Sequence, residues 1–264
     1  MSAVIELLEA KELDAKEGEA GRWHMEVPRR FHGAFGGAFG GMLAAASVAF
    51  ARQVAPGRVP SALDCRFLRG LPAGGATVTA EVIHSGRSLS CVSLDVWSEA
   101  GKRCTRSTVS LVEAEALYPF DHEGYAVVPE LTAYEDGTPW AQSPSLEVPI
   151  IDTFAPRMVG NVDGAIATTV VVPWDDPAAA AEAACLAADM SVGPPVAGAN
   201  TDRWIPNPNP DLTLRFAAPQ LARHVTSVCR LERIKGGIAT TQLHVWSEGV
   251  LAAVGISTSL LLNT

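Results

Sequence analysis

Two short stretches of this 264-residue chain hold residue types that could do chemistry. The first is Asp211, which opens Asp-Leu-Thr-Leu-Arg-Phe directly after Asn207-Pro208-Asn209-Pro210. Proline fixes its own φ and restricts the residue before it, so this run is a stiff turn holding an acid at a strand start. A carboxylate fixed there can act as a general base toward water. It can equally be a solvated acid after a turn. The second stretch is Gly40-Gly41, directly before Met42 in Gly33 to Ala51, a run of 19 residues without a charge. Glycines at a helix start leave the first amides open to a ligand oxygen, and the helix dipole favours negative charge there. Such amides can receive the oxyanion of a carbonyl under attack. They can also serve only to let the helix pack tightly. His32, in Phe-His-Gly-Ala-Phe-Gly-Gly, stands near the same helix mouth, as a substrate hydrogen-bonder or as a loop histidine without a role.

Common catalytic signatures are missing. The sequence has no G-x-S-x-G elbow, no H-E-x-x-H, no Walker loop and no G-x-G-x-x-G turn. No metal site is expected.

The elements that must hold these residues occur twice. Val96-Trp97-Ser98-Glu99 returns as Val245-Trp246-Ser247-Glu248, 149 residues later. At that offset, residues 62–111 and 211–260 share 12 of 50 positions without a gap, Leu63/Leu212, Arg66/Arg215 and Phe67/Phe216 among them. A period this long marks a duplicated fold and not a solenoid. Alternating apolar stretches predict strands at 22–28, 61–68, 76–84, 88–99 and 102–114, and again at 165–173, 211–219, 226–234, 237–248 and 250–262. Helices are expected over about 41–55 and 177–191, the second opened by Asp175-Asp176-Pro177, a capping acid followed by proline. Trp97 and Trp246 read as packing residues on equivalent strands. Asp211 aligns with Ala62, but Asp64 lies two residues on, hence on the same strand face. It is either the acid of a second site or an ordinary exposed residue. Arg66, Arg215 and Arg87 read as surface residues or as contacts for ligand phosphates.

With 20 Lys+Arg against 29 Asp+Glu, the chain carries −9, so neither nucleic acid nor an anionic membrane is an expected partner. A membrane-spanning reading of 33–51 fails on its glycines, five of which fall in the first nine residues. Five scattered cysteines without a C-x-x-C pair, and an acidic start unlike a signal peptide, point to a cytoplasmic protein with free thiols.

One long buried helix per half, followed mostly by antiparallel strands, is an α+β layout. The chain resembles the double-hotdog acyl-CoA thioesterases of the thioesterase II type. The resemblance lies in Phe-Gly-Gly-Met-Leu-Ala-Ala-Ala-Ser-Val-Ala-Phe-Ala-Arg (39–52) and in the strand segments 63–72, 84–97 and 210–219, in order and spacing. It implies two fused hotdog domains, 1–117 and 148–264, each an antiparallel sheet wrapped around one central helix, with 118–147 as linker. It implies hydrolysis of an acyl-CoA thioester to acid and thiol, and assembly as a homodimer or higher homo-oligomer. Asp211 falls in the slot of the aspartate that activates water, and Ser257 where the family has glutamine. The family's hydroxyl residue would fall within 231–235, where no Ser or Thr stands. Helix amides at Gly40, Gly41 and Met42 would receive the oxyanion, and the acyl chain would run along the buried helix. Coenzyme A enters only as part of the substrate, and no other cofactor is implied. Two alternatives remain at this level: a non-catalytic acyl-CoA-binding protein, and a hotdog hydratase or dehydratase, for which no convincing His/acid pair is visible.

Overall fold

Residue alternation and turn chemistry place the strands where expected. The computed structural model describes residues 2–122, 129–141, 147–162, 164–199, 205–217 and 220–263. A short helix α1 (Ala3–Leu7) and a two-residue strand β1 (Lys11–Glu12) precede β2 (Gly21–Val27), the first strand expected from alternation. After helix α2 (Gly40–Val54) come β3 (Val59–Phe67), β4 (Gly74–Ser85), β5 (Leu89–Ser98) and β6 (Arg103–Val112). The connection to the second half holds β7 (Thr138–Pro139), α3 (Ile150–Phe154) and β8 (Arg157–Val162). The pattern then returns as β9 (Ala165–Val171), α4 (Ala180–Gly198), β10 (Asp211–Phe216), β11 (His224–Lys235), β12 (Ile238–Ser247) and β13 (Val250–Leu260).

The thirteen strands among the described residues form one antiparallel sheet, in the order β1-β2-β4-β5-β6-β3-β10-β13-β12-β11-β9-β8-β7. About the β3–β10 pair the order is mirrored over five strands on each side, β3-β6-β5-β4-β2 against β10-β13-β12-β11-β9. There Thr213 lies opposite Asp64, and 213 is 64 plus the 149-residue offset. A residue facing its own repeat counterpart is what a twofold relation between the two strands requires. Local irregularities repeat too. The register shifts between Val96 and Trp97 in one half and between Val245 and Trp246 in the other. It shifts again between Val82 and His84 and between Leu231 and Arg233. Each Val-Trp-Ser-Glu word thus faces a β-bulge in its partner strand, with Cys104 of β6 and Ala252 of β13 as the extra residues that bend the strand and raise its twist.

Both long helices pack on the sheet and touch each other, so they lie on the same face. From Gly41 to Ala51 every residue of α2 is buried, which accounts for a helix apolar on all sides. Its alanines, with Ala183, Ala184, Ala187 and Ala188 of α4, keep the backbones close, while Phe50, Leu63, Leu94 and Leu186 fill the wider gaps. A 3-10 turn at Pro177–Ala179 leads into α4, with the Ala178 N–H donating to Asp176 Oδ1 at 3.0 Å. α4 also runs past the expected end, through Pro194 and Pro195. Burial of Val192 and Val196 outweighs the two N–H donors those prolines remove. Among the described residues no helix is long and apolar enough to cross a membrane. The glycine-rich half of 33–51 is loop, and the helix begins at Gly40.

Candidate active site

The start of α2 points at a carboxylate from α4. Asp189 Oδ2 accepts the Gly41 N–H at 2.6 Å, and its Oδ1 accepts from Asn209 Nδ2, also at 2.6 Å. The close approach explains both glycines. A Cβ on Gly40 would come within 2.8 Å of the Phe67 ring and 2.9 Å of Asp189 Oδ2, and one on Gly41 within 2.6 Å of the Phe39 ring. Asp189 is only 7% exposed, and no Lys or Arg pairs with it among the described residues. Burial pushes its carboxyl up to about 6, against the two hydrogen bonds that favour the charged form. Each oxygen accepts one bond from the protein, so each keeps a lone pair for a water proton. A buried carboxylate near neutrality with that spare capacity is the chemistry of a general base.

Asp211 lies one residue past Pro210, at the start of β10 as expected, with its side chain 15% exposed. Its Oδ2 is paired with Arg66 at 2.5 Å, and its Oδ1 accepts the Thr258 N–H at 2.7 Å. Ser257, buried on β13, donates to the Asp211 main-chain carbonyl at 2.6 Å. The Asn209 amide sits between the two acids, 3.5 Å from that same carbonyl. Asp189, Asn209, Asp211 and Ser257 are therefore linked through one turn, although they come from a helix, a loop and two strands.

The helix mouth differs in detail from the sequence expectation. The Gly41 amide is taken by Asp189, and the Met42 N–H donates to Phe39 O at 3.1 Å. The Gly40 N–H has no acceptor among the described residues, so it is the amide open to an oxyanion. His32 lies beside this mouth, because the Phe39 N–H donates to Phe31 O and His32 bridges Ala38. Its ring is buried and Nε2 has no partner among the described residues. Burial first, and Arg29 second, lower its pKa, which keeps the imidazole neutral.

Asp64 stands apart from this cluster. It is 49% exposed on β3 and meets Arg215 at 3.3 Å. Arg66 and Arg215 are thus both engaged with acids across the β3–β10 pair, while Arg87 is exposed on the β4–β5 turn. Trp97 donates Nε1–H to Thr79 and lies under Arg103, and Trp246 is buried, as packing residues would be.

The sequence reading does not single out Asp189 or Asn209. A signal was present: Asp189 is the lone acid of Ala-Ala-Cys-Leu-Ala-Ala-Asp-Met-Ser-Val, a segment with no polar face to solvate it. A charge that burial cannot avoid is costly unless it is used or paired.

Residues 28–112 match the model of the acyl-CoA thioesterase N-terminal domain family. Among solved structures, the chain is similar to the TesB protein of Mycobacterium avium subsp. paratuberculosis, with 16% identity, 98% of each chain covered and a TM-score of 0.77. It is similar to a hot dog fold protein of unknown function from Alicyclobacillus acidocaldarius, with 20% identity over 100% of this chain and 99% of that one, at a TM-score of 0.76. Acyl-CoA thioesterase II TesB2 of Mycobacterium marinum follows at 16% identity, 99% of each chain and a TM-score of 0.73. These likenesses are ones of fold. No curated protein matches the chain in sequence.

Proposed function

We propose that this chain, whose residues 28–112 belong to the acyl-CoA thioesterase N-terminal domain family, hydrolyses acyl-CoA thioesters to a free acid and coenzyme A. The observation that carries the reading is the buried, unpaired Asp189 carboxylate at the mouth of α2, facing an amide with no acceptor. Asp189 takes a proton from water as the oxygen attacks the thioester carbonyl carbon. The resulting oxyanion accepts from the Gly40 N–H. Collapse of the intermediate breaks the C–S bond, and the thiolate leaves without a dedicated acid, since thiol pKa values lie near about 8.5. Asn209 orients Asp189 through its amide. Asp211 and Ser257 brace the same turn in this reading, and Asp211 is the rival base. Its ion pair with Arg66 and its bond from Thr258 argue for the bracing role.

The two halves are read as fused hotdog domains, each around its own helix, joined at the β3–β10 pair. The repeated register and bulges support that division. Assembly as a homodimer or larger belongs to the same proposal. Ile238 and Ile256 are exposed on neighbouring strands β12 and β13, four rungs apart, and a second copy lying across this part of the sheet would cover both. Light scattering should then give a mass above the 27.7 kDa of one chain; a monomer at micromolar concentration would remove this part. The activity itself is tested by free-thiol release across a panel of acyl-CoA chain lengths. A thioesterase releases thiol, whereas a hydratase changes the acyl group without releasing it and a binding protein does neither.

A further inference from the structure

Phe67 ends β3 at the mouth of the site, and the chain fixes it on both sides. Its N–H donates to Pro210 O at 2.8 Å, which ties its backbone to the turn that carries Asn209. The next two amides, Leu68 N–H and Arg69 N–H, both donate to Cys104 O, at 2.8 and 3.1 Å. Cys104 is the extra residue of the bulge opposite Trp97. The second half repeats this arrangement. Phe216 ends β10, and the Ala217 N–H donates to the bulge residue Ala252 at its carbonyl oxygen, at 2.9 Å. The frame that holds the two phenylalanines therefore belongs to the duplicated fold. What the first ring meets does not.

The point a Cβ on Gly40 would occupy is 2.8 Å from the Phe67 ring and 2.9 Å from Asp189 Oδ2, so ring and carboxylate are neighbours across the start of α2. A second ring closes the other side, since a Cβ on Gly41 would lie 2.6 Å from the Phe39 ring and 3.0 Å from Asp189 Cβ. Phe39 is buried and packs on Phe154, which makes it part of the core. Phe67 is half-buried, with its inner side on the core. A phenyl ring offers a carboxylate oxygen no N–H or O–H donor, and it displaces the water that would.

The titratable groups around Asp189 do not supply this effect. Cys65 on β3 and Cys185 on α4 are buried thiols, the first pushed up to about 12 and the second well above its ordinary range, so both stay neutral. Asp211 is paired with Arg66. Glu182, two turns earlier on α4, is bound to Arg52 and held at about 7, and burial lowers His32 at the mouth. Both of these titrate with or without the Phe67 ring.

We infer that Phe67 is a positioning residue for the hydrolysis: its ring keeps bulk water off Asp189 Oδ2 and so sets the strength of that carboxylate as a base. The inference rests on Asp189 as the base proposed above.

The test is the pH profile of kcat/KM in Phe67→Ala, Phe67→Leu and Phe216→Ala. Phe67→Ala admits water, so its rising limb should move to lower pH by about one unit, which leaves about tenfold more of its plateau rate at pH 4. Phe67→Leu keeps an apolar wall and should move the limb less, in the same direction; it carries the test if Phe67→Ala does not fold. Phe216→Ala loses an equivalent ring from the far end of β10 and should leave the midpoint where it is. A second measurement needs no activity. The free-energy gain of Asp189→Asn over its parent between pH 4 and pH 8, read by urea unfolding, should shrink when Phe67→Ala is the parent, because the carboxyl then starts nearer its ordinary 3.8. Lower rates with an unmoved midpoint in both Phe67 variants, and an undiminished gain, would show a framework residue only and overturn the inference. An equal shift in Phe216→Ala overturns it too, as general loosening. If no acyl-CoA yields free thiol yet the gain shrinks, the hydrolytic reading falls and control of Asp189 by Phe67 stands.

Discussion

Asp189→Asn is expected to lower kcat for thioester hydrolysis by about 10²–10⁴-fold, the usual contribution of a general base, with little change in KM. Asparagine keeps the shape; its Oδ1 can still accept the Gly41 N–H, and its NH2 can donate to Asn209 once that amide turns its oxygen round, so the helix mouth should survive. What is lost is the proton acceptor. Asp211→Asn is the control that decides between the two acids. It breaks the pair with Arg66 and weakens the bond from the Thr258 amide, both at the edge of the site. It should cost less than about tenfold, because exposed ion pairs are worth little. Full thiol release by Asp189→Asn with a good substrate, together with a large loss in Asp211→Asn, would transfer the role to Asp211.

The second large effect is on pH dependence. A base held at about 6 must be ionised to work, so kcat/KM should rise with pH through about 6 and level off above it. Two units below that value, about one part in a hundred of the enzyme carries the active carboxylate, and the rate should be about 100-fold lower. Stability should run the other way. The carboxyl is raised from its ordinary 3.8, so its contribution to stability is present below pH 3.8 and is lost as pH rises through about 6. The charge then costs the folded state about 3 kcal/mol at pH 8, at 1.36 kcal/mol per pKa unit. Asp189→Asn avoids that cost. Its unfolding free energy from urea titration should therefore gain on the wild type between pH 4 and pH 8, by up to that amount. Unfolding free energies that move in parallel over this range would show that Asp189 carries no such burden.

Much of this architecture is legible from residues alone, because period and punctuation are local properties. Alternation in 88–99 and 237–248 demands strands whatever else the chain does, and β5 and β12 lie there. Asp176-Pro177 starts a helix by capping and by a preset φ, and the Ala178 amide is indeed held by Asp176. The offset of 149 residues follows from counting identities, and the bulges opposite Trp97 and Trp246 are its structural echo. The turn at 207–210 also places Asp211 at a strand start, as proline chemistry requires. Short β1 and β7 were invisible, since two residues cannot display a period.

The site was decided elsewhere. Asp189 and Gly41 are 148 residues apart, and only the packing of α2 against α4 brings the carboxylate to within 2.6 Å of the amide. No spacing rule encodes such a contact, because it depends on how two apolar helices settle on a common sheet face. Burial is likewise a property of the assembled fold. In the sequence Asp189 and Asp211 are two acids of one ordinary pKa. In the fold, desolvation raises the first toward neutrality, and Arg66 and the Thr258 amide occupy the second. The side-chain types were written in the chain; which acid was left charged, buried and unpaired was settled only when the two halves closed on each other.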